Sequence, residues 1–262
     1  MKYATPKFAG VQYTVSVDKN DDRSKLLRQG SGFGNLPNNN INCLAKDKDG
    51  AIWVGTADGI AIFNCPGSIL DDGCDAELRI VQYDANAGLL FQNENIRTIA
   101  VDGANNKWIG TGNGVWQISD DAETILKRFT IDNSPLPSNE ISKIVVHPKT
   151  GDVFIGTTGG LISYRSEATE GNQTSENILV FPNPVPSGYS GTIAVKGLTE
   201  NADVRITDVS GQLVYRTKAQ GGQAVWNGQT YTGKRPMSGV YYVFVTDKEG
   251  KETATTKFIF HE

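Results

Sequence analysis

The chain has 262 residues, enough for one or two domains, and its 38% hydrophobic content and 29 glycines suit a core of short strands joined by tight turns. Residues 1–177 carry 16 Lys+Arg against 22 Asp+Glu, and residues 178–262 carry 9 against 7, so the net charge of −4 divides into an acidic first part and a mildly basic second. An acidic first part argues against nucleic acid, whose phosphates need clustered cations, and no run of about 18 apolar residues exists to form a transmembrane segment.

Residues 1–30 show no charged-then-apolar leader. For a chain read below as exported, this leads us to expect further sequence upstream. Residues 11–17 (VQYTVSV) and 24–29 (SKLLRQ) read as two strands. The glycine-rich run Gly30-Ser-Gly-Phe-Gly34 has the look of a phosphate cradle, but no helix follows it, so it reads as a turn.

An internal repeat follows: Ile41–Asn64, Ile96–Ser119 and Ile141–Arg165, anchored by Trp53, Trp108 and Phe154. Each copy reads as strand, turn, strand, turn, strand. The first turn holds Asp49-Gly50, Asn105-Asn106 or Thr150-Gly151, and the second Asp58-Gly59, Asn113-Gly114 or Gly159-Gly160. These residues tolerate positive φ, as two-residue hairpins require. A fourth strand is expected near Arg79–Tyr83 and Thr124–Thr130, whereas after Arg165 the chain turns polar. Four-stranded meanders of this length are propeller blades. The two strands before residue 41 then close a preceding blade, and the last blade is short of its fourth strand. The expectation is a truncated β-propeller.

Of the three cysteines, Cys43 lies in an apolar strand. Cys65 and Cys74 bracket a turn-rich loop and read as a disulfide, with two free thiols as the alternative. No metal site is expected, because His147 and His261 are the two histidines and neither has ligand spacing to a cysteine. Asp47-Lys-Asp49-Gly50 has calcium-like spacing without the later Glu, and reads as a hairpin turn. No nucleophile elbow or triad can be assembled, so no catalytic residue and no cofactor are assigned. Candidate ligand-binding residues are Asn40, Asn95 and Glu140, each just before a first strand, where propeller loops converge on the channel mouth.

Residues 178–262 change rhythm. Seven short apolar runs, from Ile178–Phe181 to Lys257–Phe260, are separated by Pro, Gly and Asn turns, which suggests an immunoglobulin-like β-sandwich. The fold class is therefore all-β: 1–40 the remnant of a blade, 41–166 three blades, 167–177 a linker with the sequon-like Asn172-Gln-Thr174, and 178–262 the sandwich.

Two resemblances bear on function. The elements Asn40-Ile41, Asp47-Lys-Asp49-Gly50, Trp53-Val-Gly55-Thr56 and Gly59, met again at Trp108-Ile-Gly110-Thr111 and Gly114, resemble the two-component-regulator propeller family, with Phe154 a departure in the third copy. Phe181-Pro-Asn-Pro-Val185, Ile206-Thr-Asp-Val-Ser-Gly211, Trp226-Asn-Gly228, Gly233-Lys-Arg235, Ser238-Gly-Val-Tyr-Tyr242 and Lys257 resemble the C-terminal sorting domain of the type IX secretion system. That resemblance implies passage through the periplasm to the outer-membrane surface. It places a sorting signal around Gly239, Tyr241, Lys257 and Phe258. Blades followed by such a domain resemble the surface attachment complex subunit that recognises anionic lipopolysaccharide, so the partners implied are type IX secretion and attachment proteins and anionic lipopolysaccharide. Ordinary type IX cargo, or the periplasmic sensor of a hybrid histidine kinase, are the alternatives.

Overall fold

The structure is a computed structural model that describes residues 11–14, 24–71, 73–83 and 86–262. Residues 15–17 of the first expected strand and residues 1–10 lie outside that description. Strand β1 (Val11–Thr14) pairs antiparallel with β2 (Ser24–Leu27). A meander follows of β3 (Ile41–Lys46), β4 (Ile52–Thr56) and β5 (Gly59–Phe63). Then β6 (Ile80–Tyr83) pairs with β7 (Asn86–Leu89). The second blade is β8 (Thr98–Val101), β9 (Lys107–Gly110), β10 (Val115–Ile118) and β11 (Ile125–Phe129), side by side in one four-stranded sheet. The third is β12 (Ile141–Val146), β13 (Asp152–Thr157) and β14 (Gly160–Arg165).

The first blade departs from expectation. Its β5 edge meets a single bridge, Ile62 to Glu77, while residues Ile80–Tyr83 pair with β7 instead of completing the blade. The cause lies in the insertion, where a disulfide joins Cys65 to Cys74 and holds the chain in a short loop. Only Glu77 then returns to the edge, its contact reinforced by Asn64 Nδ2 donating to the Glu77 carboxylate at 2.8 Å.

The repeat motif Gly-Thr-x-x-Gly has a local cause. In each blade the threonine hydroxyl accepts from the N–H two residues on and donates to the carbonyl of the glycine three residues on: Thr56 with Asp58 and Gly59, Thr111 with Asn113 and Gly114, Thr157 with Gly159 and Gly160. In the first blade the two-residue loop is thus Ala57-Asp58, and Gly59 is the first residue of the following strand, paired with Thr56. Its φ of +99° is one that a side chain rarely adopts. The sequence alone put the turn one residue late.

The other glycine of the motif serves packing. A Cβ on Gly110 would lie 2.5 Å from the Cγ2 of Ile141, and one on Gly55 would collide with Cys43 Sγ and Ile96. The same spots carry main-chain bonds to the next repeat, Ile96 N to Thr56 O at 2.9 Å and Ile141 N to Thr111 O at 3.0 Å. Blade packs on blade here through backbone-close contact. Around it lie two apolar clusters, one with Trp53, Ile60, Ile99 and Trp116, the other with Trp108, Val115, Ile144 and Val153. Trp53 and Trp108 are 2% and 0% exposed, but Phe154 at the same repeat position is 40% exposed and Leu161 is 71% exposed. A Cβ on Gly156 would meet nothing nearer than Lys143 O at 3.5 Å.

One ion pair is sealed between the first two blades. Lys107 Nζ lies 3.3 Å from Asp47 Oδ2, with side chains 0% and 5% exposed, and donates to Asp120 O at 2.8 Å. The Lys107 ammonium also sits 4.7 Å from the Trp53 ring centre, and Trp53 Nε1 donates to the same Asp47 oxygen. Asp47 Oδ1 accepts from Ala51 N. The calcium-like Asp47-Lys-Asp49-Gly50 run is therefore a hairpin whose first carboxylate holds an internal cation. Among the described residues no cluster of metal-ligating side chains occurs.

The chain divides into two compact units. The first runs through Val101 and includes Asn105–Val146 and Val153–Tyr164; the second is Asp102–Ala104, His147–Asp152 and Arg165–Glu262. Within the second, β15 (Leu179–Phe181), β16 (Ile193–Lys196), β17 (Asp203–Thr207), β18 (Leu213–Lys218), β19 (Gln223–Trp226), β20 (Gly239–Thr246) and β21 (Glu252–Phe260) form two sheets, ordered β15-β16-β19 and β18-β17-β20-β21. Alternate residues of each strand meet in one core around Val195, Val204, Trp226, Val243, Phe258 and Phe260. Residues 167–177, read from sequence as a linker, bond to this unit: Thr169 N donates to Gln220 O, Gly222 N to Thr169 O, and Asn172 N to Leu198 O, with Ala168 and Ser175 buried.

Candidate functional site

The three rim candidates sit just before β3, β8 and β12. Asn40 O accepts from Ala57 N at 3.0 Å and Glu140 O from Thr158 N at 3.1 Å, so two of the three hold the second hairpin of their own blade. The side chains of Asn95 and Glu140 join neighbouring repeats. Asn95 Oδ1 accepts from Asn42 Nδ2 at 2.7 Å, and the Glu140 carboxylate lies 3.5 Å from Arg97. Glu94 and Asn113 extend the line, with Asn113 Nδ2 on both Glu94 oxygens. Together these residues form an array of amides and carboxylates with the Arg97 cation beside it, a chemistry that offers hydrogen bonds to hydroxyl-rich ligands.

The glycine run 30–34 does present its N–H groups to an oxyanion, but the anion is internal. Asp75 takes Gly32 N at 2.5 Å and Gly34 N at 2.7 Å. These bonds lower the Asp75 carboxyl below its ordinary range, with the Gly32 N–H the largest contribution. No signal in the sequence pairs residue 75 with residue 32; the return of the chain after the disulfide loop does. Cys43 is half-buried, and burial pushes its thiol up to about 11, against the opposing charge of Lys143. His147 caps its own turn, its Nδ1 meeting Thr150 N at 3.2 Å.

In the sandwich the four residues placed at the sorting signal separate into two kinds. Tyr241 and Phe258 are core residues, 5% and 1% exposed, with ring centres 5.8 Å apart and the Tyr241 hydroxyl donating to Met237 O. Burial pushes the Tyr241 phenol up. Gly239 and Lys257 are exposed, paired across strands with Phe260 and Tyr242. The motif Pro182-Asn-Pro-Val185 acts on the same strand. Asn183 Oδ1 accepts from Ile259 N, Val185 N donates to Ile259 O, and His261 N donates to Val185 O. These bonds cover the outer edge of β21 at its end. The first and last segments of the sorting-domain pattern therefore meet.

Comparison with known proteins agrees with both halves. Residues 35–58 match the two component regulator propeller family, and residues 179–261 match the secretion system C-terminal sorting domain. No curated protein matches the sequence. Among solved structures, PorZ, an essential surface component of the type-IX secretion system of Porphyromonas gingivalis, is similar over 99% of this chain at 27% identity and a TM-score of 0.65. The chain spans 36% of that protein. The extracellular domain of a putative hybrid two component system from B. thetaiotaomicron aligns over 98% of this chain and 34% of its own at 15% identity, with a TM-score of 0.41. The chain thus joins two-component-regulator propeller blades to a secretion-system C-terminal sorting domain, the feature that directs export to the cell surface across the outer membrane.

Proposed function

We propose that this chain belongs to a non-catalytic surface subunit of the type IX secretion and attachment machinery. In this reading the propeller carries recognition, of anionic lipopolysaccharide, and the sandwich carries localisation. The observation that carries it is the likeness to PorZ through blades and sandwich in one order, over 99% of the chain. The rim around Asn40, Asn95 and Glu140 is the place we assign to the glycan, its amides and carboxylates meeting hydroxyls and Arg97 meeting an acidic group. The terminal strand pair is the place we assign to the export machinery, with Lys257 at the sheet edge and main-chain pairing as the mode of reading.

The test is cell fractionation of the full-length protein in its own host. Protein ending before Ile178 should fold its blades and accumulate in the periplasm; surface arrival without the sandwich refutes the localisation role. The fate of the sandwich on surface-located protein decides between subunit and cargo. Retention supports the subunit reading, and removal between blades and sandwich makes the protein cargo. Alanine at Asn40, Asn95 and Glu140 together should reduce capture of purified anionic lipopolysaccharide by the full-length protein; unchanged capture refutes the rim assignment.

A further inference from the structure

The outward face of the four-stranded sheet of the sandwich carries a charge arrangement that core packing does not use. Arg205 on β17 and Arg216 on β18 lie directly opposite each other in the register. Two like charges facing across a strand pair repel and destabilise the pairing unless something stands between them. Here Asp203 does. Its Oδ1 takes Arg216 Nε at 2.6 Å and its Oδ2 takes Arg205 Nε at 2.9 Å. The carboxylate is 13% exposed while the arginines are 48% and 52% exposed, so the anion is the recessed anchor and the cations the presented groups.

Both arginines reach Asp203 through Nε, the inner nitrogen of the guanidinium. One carboxylate offsets one of the two cations. Lys218, opposite Asp203 in the register, adds another positive charge to this face. Two nearby carboxylates are engaged in turns: Asp208 takes Ser210 N and Gln212 N, and Asp247 takes Glu249 N and Lys251 N. The arginines also line a groove of about 520 Å³ with Thr207, Gly211, Leu213, Phe244 and Thr246. Phe244, paired with Arg205 in the register, gives that groove an apolar wall beside the charge.

From this geometry we infer that the Arg205–Arg216 groove is a binding site for a phosphate monoester carried on a compact body such as a sugar. Two guanidinium forks held at a fixed separation suit a group with three terminal oxygens, which both forks engage at once. A carboxylate fills one fork and leaves the other with its charge unmet. Anchoring by Asp203 lowers the side-chain entropy that binding would otherwise cost. The Phe244 and Leu213 side chains accept the non-polar face of the attached body. The site is independent of the rim assigned above, so either stands if the other fails.

The test is titration of the full chain with glucose 6-phosphate, glucuronate and glucose, followed by calorimetry and by the arginine Nε–H signals in NMR. Saturable binding of the phosphate ester that shifts the Arg205 and Arg216 signals is expected, with glucose inert. R205Q and R216Q should each weaken it about tenfold. Each variant leaves Asp203 paired to the remaining arginine, so the fold is kept, and unchanged melting checks this. R216K retains the charge but not the fork and should weaken binding as well. Vesicles of phosphatidylcholine with and without phosphatidic acid separate a soluble source from a lipid one: capture by the acidic vesicles alone places the phosphate on a lipid. No binding to any phosphate probe, binding indifferent to both substitutions, or glucuronate bound as tightly as the phosphate ester overturns the inference.

Discussion

Replacing Lys107 by methionine tests the sealed ion pair between the first two blades. The ammonium is fully buried and makes its contacts with Asp47, the Asp120 carbonyl and the Trp53 ring face. Methionine fills similar volume but removes the cation, leaving the Asp47 carboxylate with Ala51 N and Trp53 Nε1 and no counter-charge. Breaking one side of a buried pair costs about 3–5 kcal/mol. For a unit of this size about 2–4 °C accompanies each kcal/mol, so the first unit should melt about 6–20 °C lower. The double variant D47N/K107M restores neutrality and should regain most of that loss, because a neutral filled site is not penalised for charge burial. Burial is also the main reason the Lys107 ammonium titrates below its ordinary value near 10.5, against the opposing pull of Asp47. The unfolded chain then binds that proton more readily than the folded one. Wild-type stability should therefore gain on K107M as pH rises through the window just below 10.5. Scanning calorimetry across pH measures both effects. A drop of less than about 1 kcal/mol for K107M, or a double variant no better than the single, refutes the reasoning.

Gly110→Ala should destabilise by about 1–3 kcal/mol because its Cβ meets Ile141 and Thr98, whereas Gly156→Ala should stay within about 0.5 kcal/mol, and thermal denaturation separates the two. Burial pushes the Asp203 carboxyl up, but the bonds and charges of Arg216 and Arg205 together outweigh it and hold the group below its ordinary 3.8. Its contribution is present above 3.8 and lost as pH falls through the lower folded value, so acid unfolding of D203N should be less steep there; identical acid curves count against the pairing. Denatured, unreduced protein should show one thiol, Cys43, and the native thiol, with its value near 11, should alkylate slowly at neutral pH; three thiols or fast native alkylation contradicts this.

The repeat, its turns and the change of rhythm at residue 178 were legible because each is local. Positive-φ glycines and alternating apolar residues act within a few positions of themselves, so the all-β class and the seven sandwich strands follow from short windows of sequence. The Trp-x-Gly-Thr motif was legible as a pattern, but not its cause, because the neighbours that forbid a Cβ on Gly55 are Cys43 on the adjoining strand and Ile96, forty-one positions on. Distance in the chain also hid the pairing of Asp75 with Gly32 and Gly34, of Lys107 with Asp47, and of Asp203 with Arg216. Each joins charged or polar groups that propensity treats as ordinary surface. The tertiary structure buries Tyr241 and Phe258 in the sandwich core and leaves Lys257 exposed at the edge strand. Side-chain periodicity tells which face a residue takes. Which partner covers that face is decided only when strands distant in sequence are brought into one sheet.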